Sequence, residues 1–219
     1  MLQSGYTVLD TARAYGSGTS EELLGQTDAG SWATVDTKVA SFAPGSHTAS
    51  KIKESVDGAL KALNGIKPRI MYLHAPDRQT PFAETLQAMN EAHKAGHFEK
   101  FGLSNYSADE VDEIVGLCEK NGWVKPSVYQ GHYNAIARRP EKELFPTLRK
   151  HGLSYYAYSP SAGGMFTGKV TEASSQIKGG RWDTDTNVGK LYSGNYMKPA
   201  LFEAASKASL ITRSTISKS

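Results

Sequence analysis

The sequence has a single cysteine, Cys118, so no disulfide can form within the chain. One cysteine in 219 residues fits a reducing compartment better than secretion, and no signal peptide is recognised at the first residues. The expected location is therefore the cytoplasm. Cys118 follows the apolar spacing of a predicted helix, which favours a thiol packed in the core.

Two further absences narrow the classes of function. No apolar run approaches the roughly 18 residues of a membrane-spanning helix. The 25 basic and 22 acidic residues give a net charge of +3, too balanced to favour a nucleic acid or a membrane surface as the partner. No metal site is predicted either.

Short apolar, β-branched runs alternate with longer helical patterns along most of the chain. This pattern predicts strands at residues 6–10, 33–39, 69–73, 98–103, 127–130 and 153–158. It predicts helices at residues 20–25, 48–63, 81–95, 108–121 and 141–150. Ser107 and Glu110 have capping-box spacing, and Gly96, Gly122 and Gly152 lie where helices should end. The repeating strand–helix unit predicts a parallel sheet.

Two parallel architectures compete. A doubly wound sheet usually carries a glycine-rich phosphate turn after its first strand, and residues 10–16 contain no such turn. A (β/α)₈ barrel instead collects functional residues beyond the carboxyl ends of its strands, where polar residues lie in this sequence. We therefore predict one α/β domain over residues 1–219, a TIM barrel with about six of its eight strand–helix units.

Residues 159–198 differ from the rest, because they are rich in glycine, serine, threonine, aspartate and asparagine. A segment of this length after a barrel strand is typical of a loop that covers a cofactor or a substrate.

Four residues at or just beyond predicted strand ends suit carbonyl reduction: Asp10, Tyr15, Lys38 and His74. A phenol ordinarily has a pKa of about 10, and a neighbouring ammonium lowers it by stabilising the phenolate. A carboxylate can orient that ammonium, and a histidine can hydrogen-bond the carbonyl oxygen or relay the proton. Each residue alone also has a structural explanation, but together they indicate a proton-donating site.

The residues around these four positions resemble the motifs of a known family. Motifs in the order of the aldo-keto reductase superfamily occur at residues 9–16, 37–39, 72–77, 102–106, 129–130 and 156–160. Residues 162–169 resemble its aflatoxin-aldehyde reductase branch. The resemblance covers roughly residues 1–205 and implies a reductase that uses NADPH, with Tyr15 as the general acid supported by Lys38, Asp10 and His74.

The resemblance also implies a cofactor and a substrate pocket. The residues expected to hydrogen-bond the nicotinamide carboxamide are Ser104, Asn105 and Gln130. Tyr158 would stack on the nicotinamide ring. The residues expected along the pyrophosphate are Ser159, Ser161, Gly164 and Lys169. Those expected at the substrate pocket are Arg181, Trp182 and Tyr192, although Arg181 could equally be a surface arginine.

The sequence departs from the family pattern at both ends. We expect no counterpart in this sequence of the family's first strand. We also expect none of its last strand, nor of the residues there that bind the adenosine of the cofactor. An unclosed barrel would leave strand edges unpaired, and a homo-oligomer could cover them. Residues 210–217, with Arg213 and Ser214, faintly resemble the residues that some members place on the cofactor's 2′-phosphate.

Three functions remain open on the sequence alone. The first is NADPH-dependent reduction of an aldehyde or ketone to an alcohol. The second is a catalytically idle barrel that serves as a binding or regulatory subunit. The third is an isomerase or dehydratase that uses the same pocket without a cofactor.

Overall fold

The computed structural model describes residues 5–167, 170, 178–205 and 207. The strands are β1 Val8–Asp10, β2 Thr34–Val39, β3 Ile70–Leu73, β4 Lys100–Ser104, β5 Pro126–His132 and β6 Ser154–Tyr158. The helices are α1 Thr19–Gln26, α2 Ala49–Ala62, α3 Phe82–Lys94, α4 Ala108–Asn121, α5 Leu144–Lys150 and α6 Asn187–Tyr196. Short 3₁₀ turns lie at Tyr15–Gly18, Ala29–Ser31, Arg139–Glu141 and Ala162–Thr167. Residues 199–205 are also helical.

The six strands form one sheet in chain order, and the pairs from β1 to β5 are all parallel. A helix follows each of the first five strands, so that every connection is a strand–helix–strand crossover. This arrangement confirms the prediction of an incomplete barrel with six strands. None of the helices in the described ranges is long and apolar enough to cross a bilayer.

The predicted boundaries of the strands and helices lie within two residues of the observed ones, except for the start of α5. The starts of β1 and α5 differ for physical reasons. Strand β1 begins at Val8 rather than at residue 6, because pairing with β2 starts at Val8 and Tyr6 is exposed. Helix α5 begins at Leu144 rather than at residue 141, after a separate 3₁₀ turn. Pro146 lies in its first turn, where the missing N–H has no intrahelical partner to lose.

The two faces of the sheet carry different side chains. The face toward the helices is apolar and contributes Val39, Met71, Leu73, Phe101 and Leu103 to the main core. Against it pack buried side chains of α2, α3 and α4, namely Ile52, Val56, Ala59, Leu86, Met89, Val111, Ile114, Val115 and Cys118. The prediction of a buried Cys118 is confirmed, and burial raises the pKa of its thiol to about 11.

The opposite, inward face is partly polar. Lys38 of β2 pairs in register with Tyr72 of β3, which pairs with Gly102 of β4, so that all three share this face. The Tyr72 ring lies across Gly102, where a Cβ atom would overlap the ring. Glycine at position 102 therefore makes room for a fully buried tyrosine beneath the mouth of the sheet.

One hydrogen bond shows that the sheet curls. Gln130 Nε2 on β5 donates to Asp10 Oδ1 on β1 over 2.8 Å. These strands are four positions apart, which in a flat sheet is about 19 Å. An aspartate and a glutamine side chain cannot bridge that distance, so β1 and β5 must face each other across a curved surface, as in a barrel.

The described residues divide into two compact units. The first contains the described residues up to Gly131 together with Glu141–Tyr156, and the second contains His132–Pro140 and the described residues from Ala157 onward. The second unit has its own apolar cluster of Ala162, Met165, Trp182, Tyr196 and Ala205. Residues 159–198, predicted as one long loop, include a 3₁₀ turn and helix α6. The single-domain interpretation stays a prediction.

The loop between β2 and α2 is fastened by a buried histidine. His47 is 1% exposed, and its Nε2 lies 2.8 Å from Ser41 Oγ. Its backbone N–H donates to Asp77 Oδ2 over 3.2 Å, and its carbonyl accepts from Thr85 Oγ1 over 3.0 Å. These contacts tie the loop to the connection that precedes α3 and to α3 itself.

The close contact at Gly102 gives a first prediction. Gly102→Ala forces the Tyr72 ring to move, which should lower the free energy of unfolding by about 2 kcal/mol. Gly116→Ala on α4 is the matched control, because a Cβ there meets nothing within 4 Å and should stabilise the helix by about 0.5–1 kcal/mol. Urea unfolding measures both. Equal stabilities for the two variants would contradict the packing described for Tyr72.

His47 gives a prediction about pH. Burial lowers its pKa from 6.5 to about 4, although Asp77 opposes the shift. Since the unfolded chain takes up the proton at a higher pH than the folded chain, stability is lost as pH falls from about 6.5 toward 4. Between pH 7 and pH 5 the wild type should lose about 2 kcal/mol more than His47→Asn in urea unfolding. Parallel losses in the two proteins would show that His47 is not the titrating group.

Candidate active site

The carboxyl ends of β1 and β2 bring an ion pair together at the mouth of the curled sheet. Lys38 Nζ lies 2.6 Å from Asp10 Oδ2 and donates to the Thr11 carbonyl over 2.9 Å. The Lys38 side chain is fully buried, whereas that of Asp10 is 40% exposed. Burial lowers the pKa of Lys38, and the Asp10 carboxylate opposes that shift. The ammonium is thus held by a carboxylate and a carbonyl.

Two tyrosine rings flank this ammonium. Lys38 Nζ is 5.0 Å from the ring centroid of Tyr15 and 5.7 Å from that of Tyr72. Burial raises the pKa of Tyr72, which is fully enclosed, so its phenol stays protonated and out of a substrate's reach. Tyr15 is 39% exposed. Of the two phenols, only that of Tyr15 is accessible at the mouth.

The loop that carries Tyr15 is anchored from beneath. Arg13 forms an ion pair with Glu21, which is fully buried, and Thr37 Oγ1 donates to the same carboxylate over 2.5 Å. The Arg13 backbone N–H also donates to the Lys38 carbonyl over 3.2 Å. Because these contacts attach the loop to β2 at Thr37 and at Lys38 itself, they hold the Tyr15 loop beside the ammonium. Sequence reasoning missed this anchor, although Arg13 lies within the motif of residues 9–16 and Glu21 follows it closely.

His74 completes the group at the end of β3. Its ring meets that of Tyr15 edge-on, with centroids 5.6 Å apart. Burial, and then the charge of Lys38, lower the pKa of His74 to about 4, so the ring is neutral near pH 7. Its Nδ1 is buried and has no hydrogen-bond partner within the ranges that the structure describes. A neutral imidazole offers one donor and one acceptor to a bound oxygen.

The residues predicted to bind the carboxamide lie at the ends of the next two strands. Asn105 Nδ2 donates to the His74 carbonyl over 2.9 Å and to Ser104 Oγ over 3.0 Å. Gln130 donates to Asp10, as described above. The first unit therefore brings the four predicted catalytic residues together with Ser104, Asn105 and Gln130. Their roles stay predictions.

The remaining predicted residues belong to the second unit. The Tyr158 ring stacks on His132, with centroids 5.3 Å apart and planes 11° apart. Ser159 Oγ lies 3.3 Å from Tyr192 Oη, and the Arg181 guanidinium lies over the Tyr192 ring at 5.2 Å.

Three more predicted positions belong to the second unit. Trp182 is buried in its core, with its ring centroid 5.7 Å from that of Tyr192. Ser161 is exposed, and Gly164 has a φ of 98°, which favours glycine. Lys169, like Arg213 and Ser214 of the tail, lies outside the described residues.

No group of three or more potential metal ligands occurs in the described part of the chain. The mouth of the sheet presents one buried ammonium, one accessible phenol, one neutral imidazole and several amide and hydroxyl groups. Together they can hold a carbonyl compound and transfer a proton to its oxygen.

Comparison with known proteins identifies a family and several relatives. The sequence profile of the Aldo/keto reductase family matches residues 1–213. An aldo-keto reductase of Pseudocercospora fijiensis is 43% identical over 212 residues, which cover 93% of this chain and 71% of that protein. Human aldo-keto reductase family 7 member A3 is 42% identical over 209 residues, covering 92% of this chain and 63% of that protein.

A third relative, human aflatoxin B1 aldehyde reductase member 4, is 39% identical over 209 residues, again with 92% of this chain and 63% of the relative covered. The chain thus spans less than two thirds of the length of these human relatives. The match of the family profile nevertheless extends over almost the whole sequence, in the same range as the motifs and the site. This chain belongs to the aldo/keto reductase family.

Proposed function

We propose that this chain reduces an aldehyde or a ketone to an alcohol with NADPH. Membership of the family and relatives named as reductases support an oxidoreductase. The observation that carries the finer proposal is the accessible Tyr15 ring 5.0 Å from the Lys38 ammonium, which is itself paired with Asp10. The carbonyl compound is the partner that this site would take.

The residues at the strand ends fit a nicotinamide. Ser104, Asn105 and Gln130 supply hydroxyl and amide groups, which are the hydrogen-bonding partners that a carboxamide requires. They lie beside the ion pair, because Gln130 contacts Asp10 and Asn105 contacts the backbone of His74. When bound, the cofactor supplies the hydride.

The proton would come from Tyr15. As the carbonyl carbon gains a hydride, negative charge develops on the oxygen, and the phenol O–H transfers its proton to that oxygen. The Lys38 ammonium stabilises the phenolate that remains, since it is desolvated and lies against the ring. Neutral His74 would hydrogen-bond the same oxygen and orient the substrate. Asp10 holds the ammonium in place through their ion pair.

The proposal is tested with purified protein, NADPH and a panel of aldehydes, following the absorbance of the reduced cofactor. Tyr15→Phe removes the proton donor while keeping the ring, so kcat should fall by about 100-fold or more. NADPH affinity, measured by fluorescence titration, should change little, because the phenol is not among the expected cofactor contacts. Tyr6→Phe is the matched control, since Tyr6 is 69% exposed on the approach to β1, and its activity should equal that of the wild type.

Three outcomes would overturn the proposal. Turnover by Tyr15→Phe at the wild-type rate would remove the phenol from the reaction. An absence of NADPH binding and turnover in the wild type would favour the idle subunit, and product formation without any cofactor would favour the isomerase or dehydratase.

A further inference from the structure

His132 belongs to the second unit, at the carboxyl end of β5, and its ring contacts two tyrosine rings there. It stacks on the ring of Tyr158, with centroids 5.3 Å apart and planes 11° apart. It meets the ring of Tyr196 edge-on, with centroids 5.6 Å apart and an interplanar angle of 90°. Stacked and edge-on arrangements are the two that aromatic pairs prefer, so both contacts favour this orientation of the imidazole.

Hydrogen bonds hold the imidazole as well. Oδ1 of Asn134 accepts from the backbone N–H groups of Ile136 and Ala137 over 3.1 and 3.0 Å, which fixes the orientation of the amide. Its Nδ2 therefore faces Tyr196 Oη at 3.2 Å and His132 Nε2 at 3.3 Å. Because an amide N–H only donates, Nε2 must be an acceptor, and the Tyr196 hydroxyl bonded to it is a second donor. His132 is therefore neutral, with its proton on Nδ1.

The backbone beside the Tyr158 ring is attached to the same segment. Asn134 is buried, and its Nδ2 also donates to the Ser159 carbonyl over 3.0 Å. Tyr133 donates through its backbone N–H to the Tyr158 carbonyl over 3.5 Å. Because these two donors directly follow His132 in the chain, one short segment holds both the ring and the backbone of Tyr158.

The Tyr158 ring has one face against His132, and Tyr158 is nevertheless 37% exposed. Since the imidazole covers the first face, that exposure lies on the edges and on the other face of the ring. A flat heteroaromatic ring is the group that stacks best on such a surface, and the nicotinamide of the proposed cofactor is one. The orientation of this surface depends on His132.

We infer that His132 is a positioning residue for the cofactor, which supports one face of the Tyr158 ring so that the other face receives the nicotinamide. The inference rests on the proposed function, since it concerns the binding of the same NADPH. His132 contacts neither the cofactor nor the reacting atoms and acts only through Tyr158. Its loss should therefore weaken the binding of the nicotinamide and not that of the rest of the cofactor.

The test measures the Kd of NADPH and that of 2′-phospho-ADP-ribose, which is NADPH without the nicotinamide, by isothermal titration calorimetry. His132→Ala should raise the Kd of NADPH by about fivefold and that of 2′-phospho-ADP-ribose by less than about twofold. His132→Phe restores a flat ring against Tyr158 and should recover most of the NADPH affinity. His93→Ala is the matched control, because His93 on α3 also contacts an aromatic ring, that of Phe98 at 5.4 Å, and should change neither Kd.

Three results would overturn the inference and leave the proposed function standing. Equal losses for both ligands in His132→Ala would indicate a general structural role, and no loss for either would indicate an incidental stack. Failure of His132→Phe to recover NADPH affinity would show that the stacked ring is not the support. If the wild type itself does not bind NADPH, the proposed function fails and the inference fails with it.

A second measurement needs no cofactor. In ¹⁵N NMR spectra of the protein alone near pH 7, His132 should have an unprotonated Nε2 and a protonated Nδ1. The signals are assigned by their loss in His132→Phe. A proton on Nε2 would contradict the network of Asn134 and Tyr196 that orients the ring, and would also overturn the inference.

Discussion

The carboxylate of Asp10 is the constraint on which the rest of the site depends. One of its oxygens accepts from Lys38 of β2, and the other accepts from Gln130 of β5. The first contact provides a counter-ion for an ammonium that has no access to water, and an unpaired buried charge is costly. The second joins strands that only a curled sheet brings together. The Asp10 side chain therefore both joins β1 to β5 and neutralises the buried ammonium.

The other features of the mouth follow from that buried ammonium. Its charge contributes to the lowered pKa of His74, so the histidine is neutral when it meets a substrate oxygen. It lies against the rings of Tyr15 and Tyr72, of which only Tyr15 is accessible. Outside the sheet, the Arg13–Glu21 pair anchors the Tyr15 loop. An apolar core between sheet and helices thus supports a polar and reactive mouth.

The sequence indicated the six strands, their order and the four residues at the mouth, because strand ends and polar residues coincide in a parallel barrel. It could not indicate that Gln130 reaches Asp10, since that contact depends on the curvature of the sheet. Successive side chains of a strand point to opposite faces of the sheet. The sequence could therefore have indicated that Lys38 and Tyr72 share the inward face. Roles that depend on a bound cofactor stay predictions.

The most direct measurement is a double-mutant cycle of unfolding free energies for Asp10→Asn, Lys38→Met and the double variant. Asp10→Asn alone leaves the buried ammonium without a counter-ion and should cost about 3 kcal/mol, at the lower end for a buried pair because Asp10 is partly exposed. Adding Lys38→Met removes the orphaned charge and should restore most of that stability. If the two single losses simply add in the double variant, Asp10 and Lys38 do not form the interaction on which this account rests.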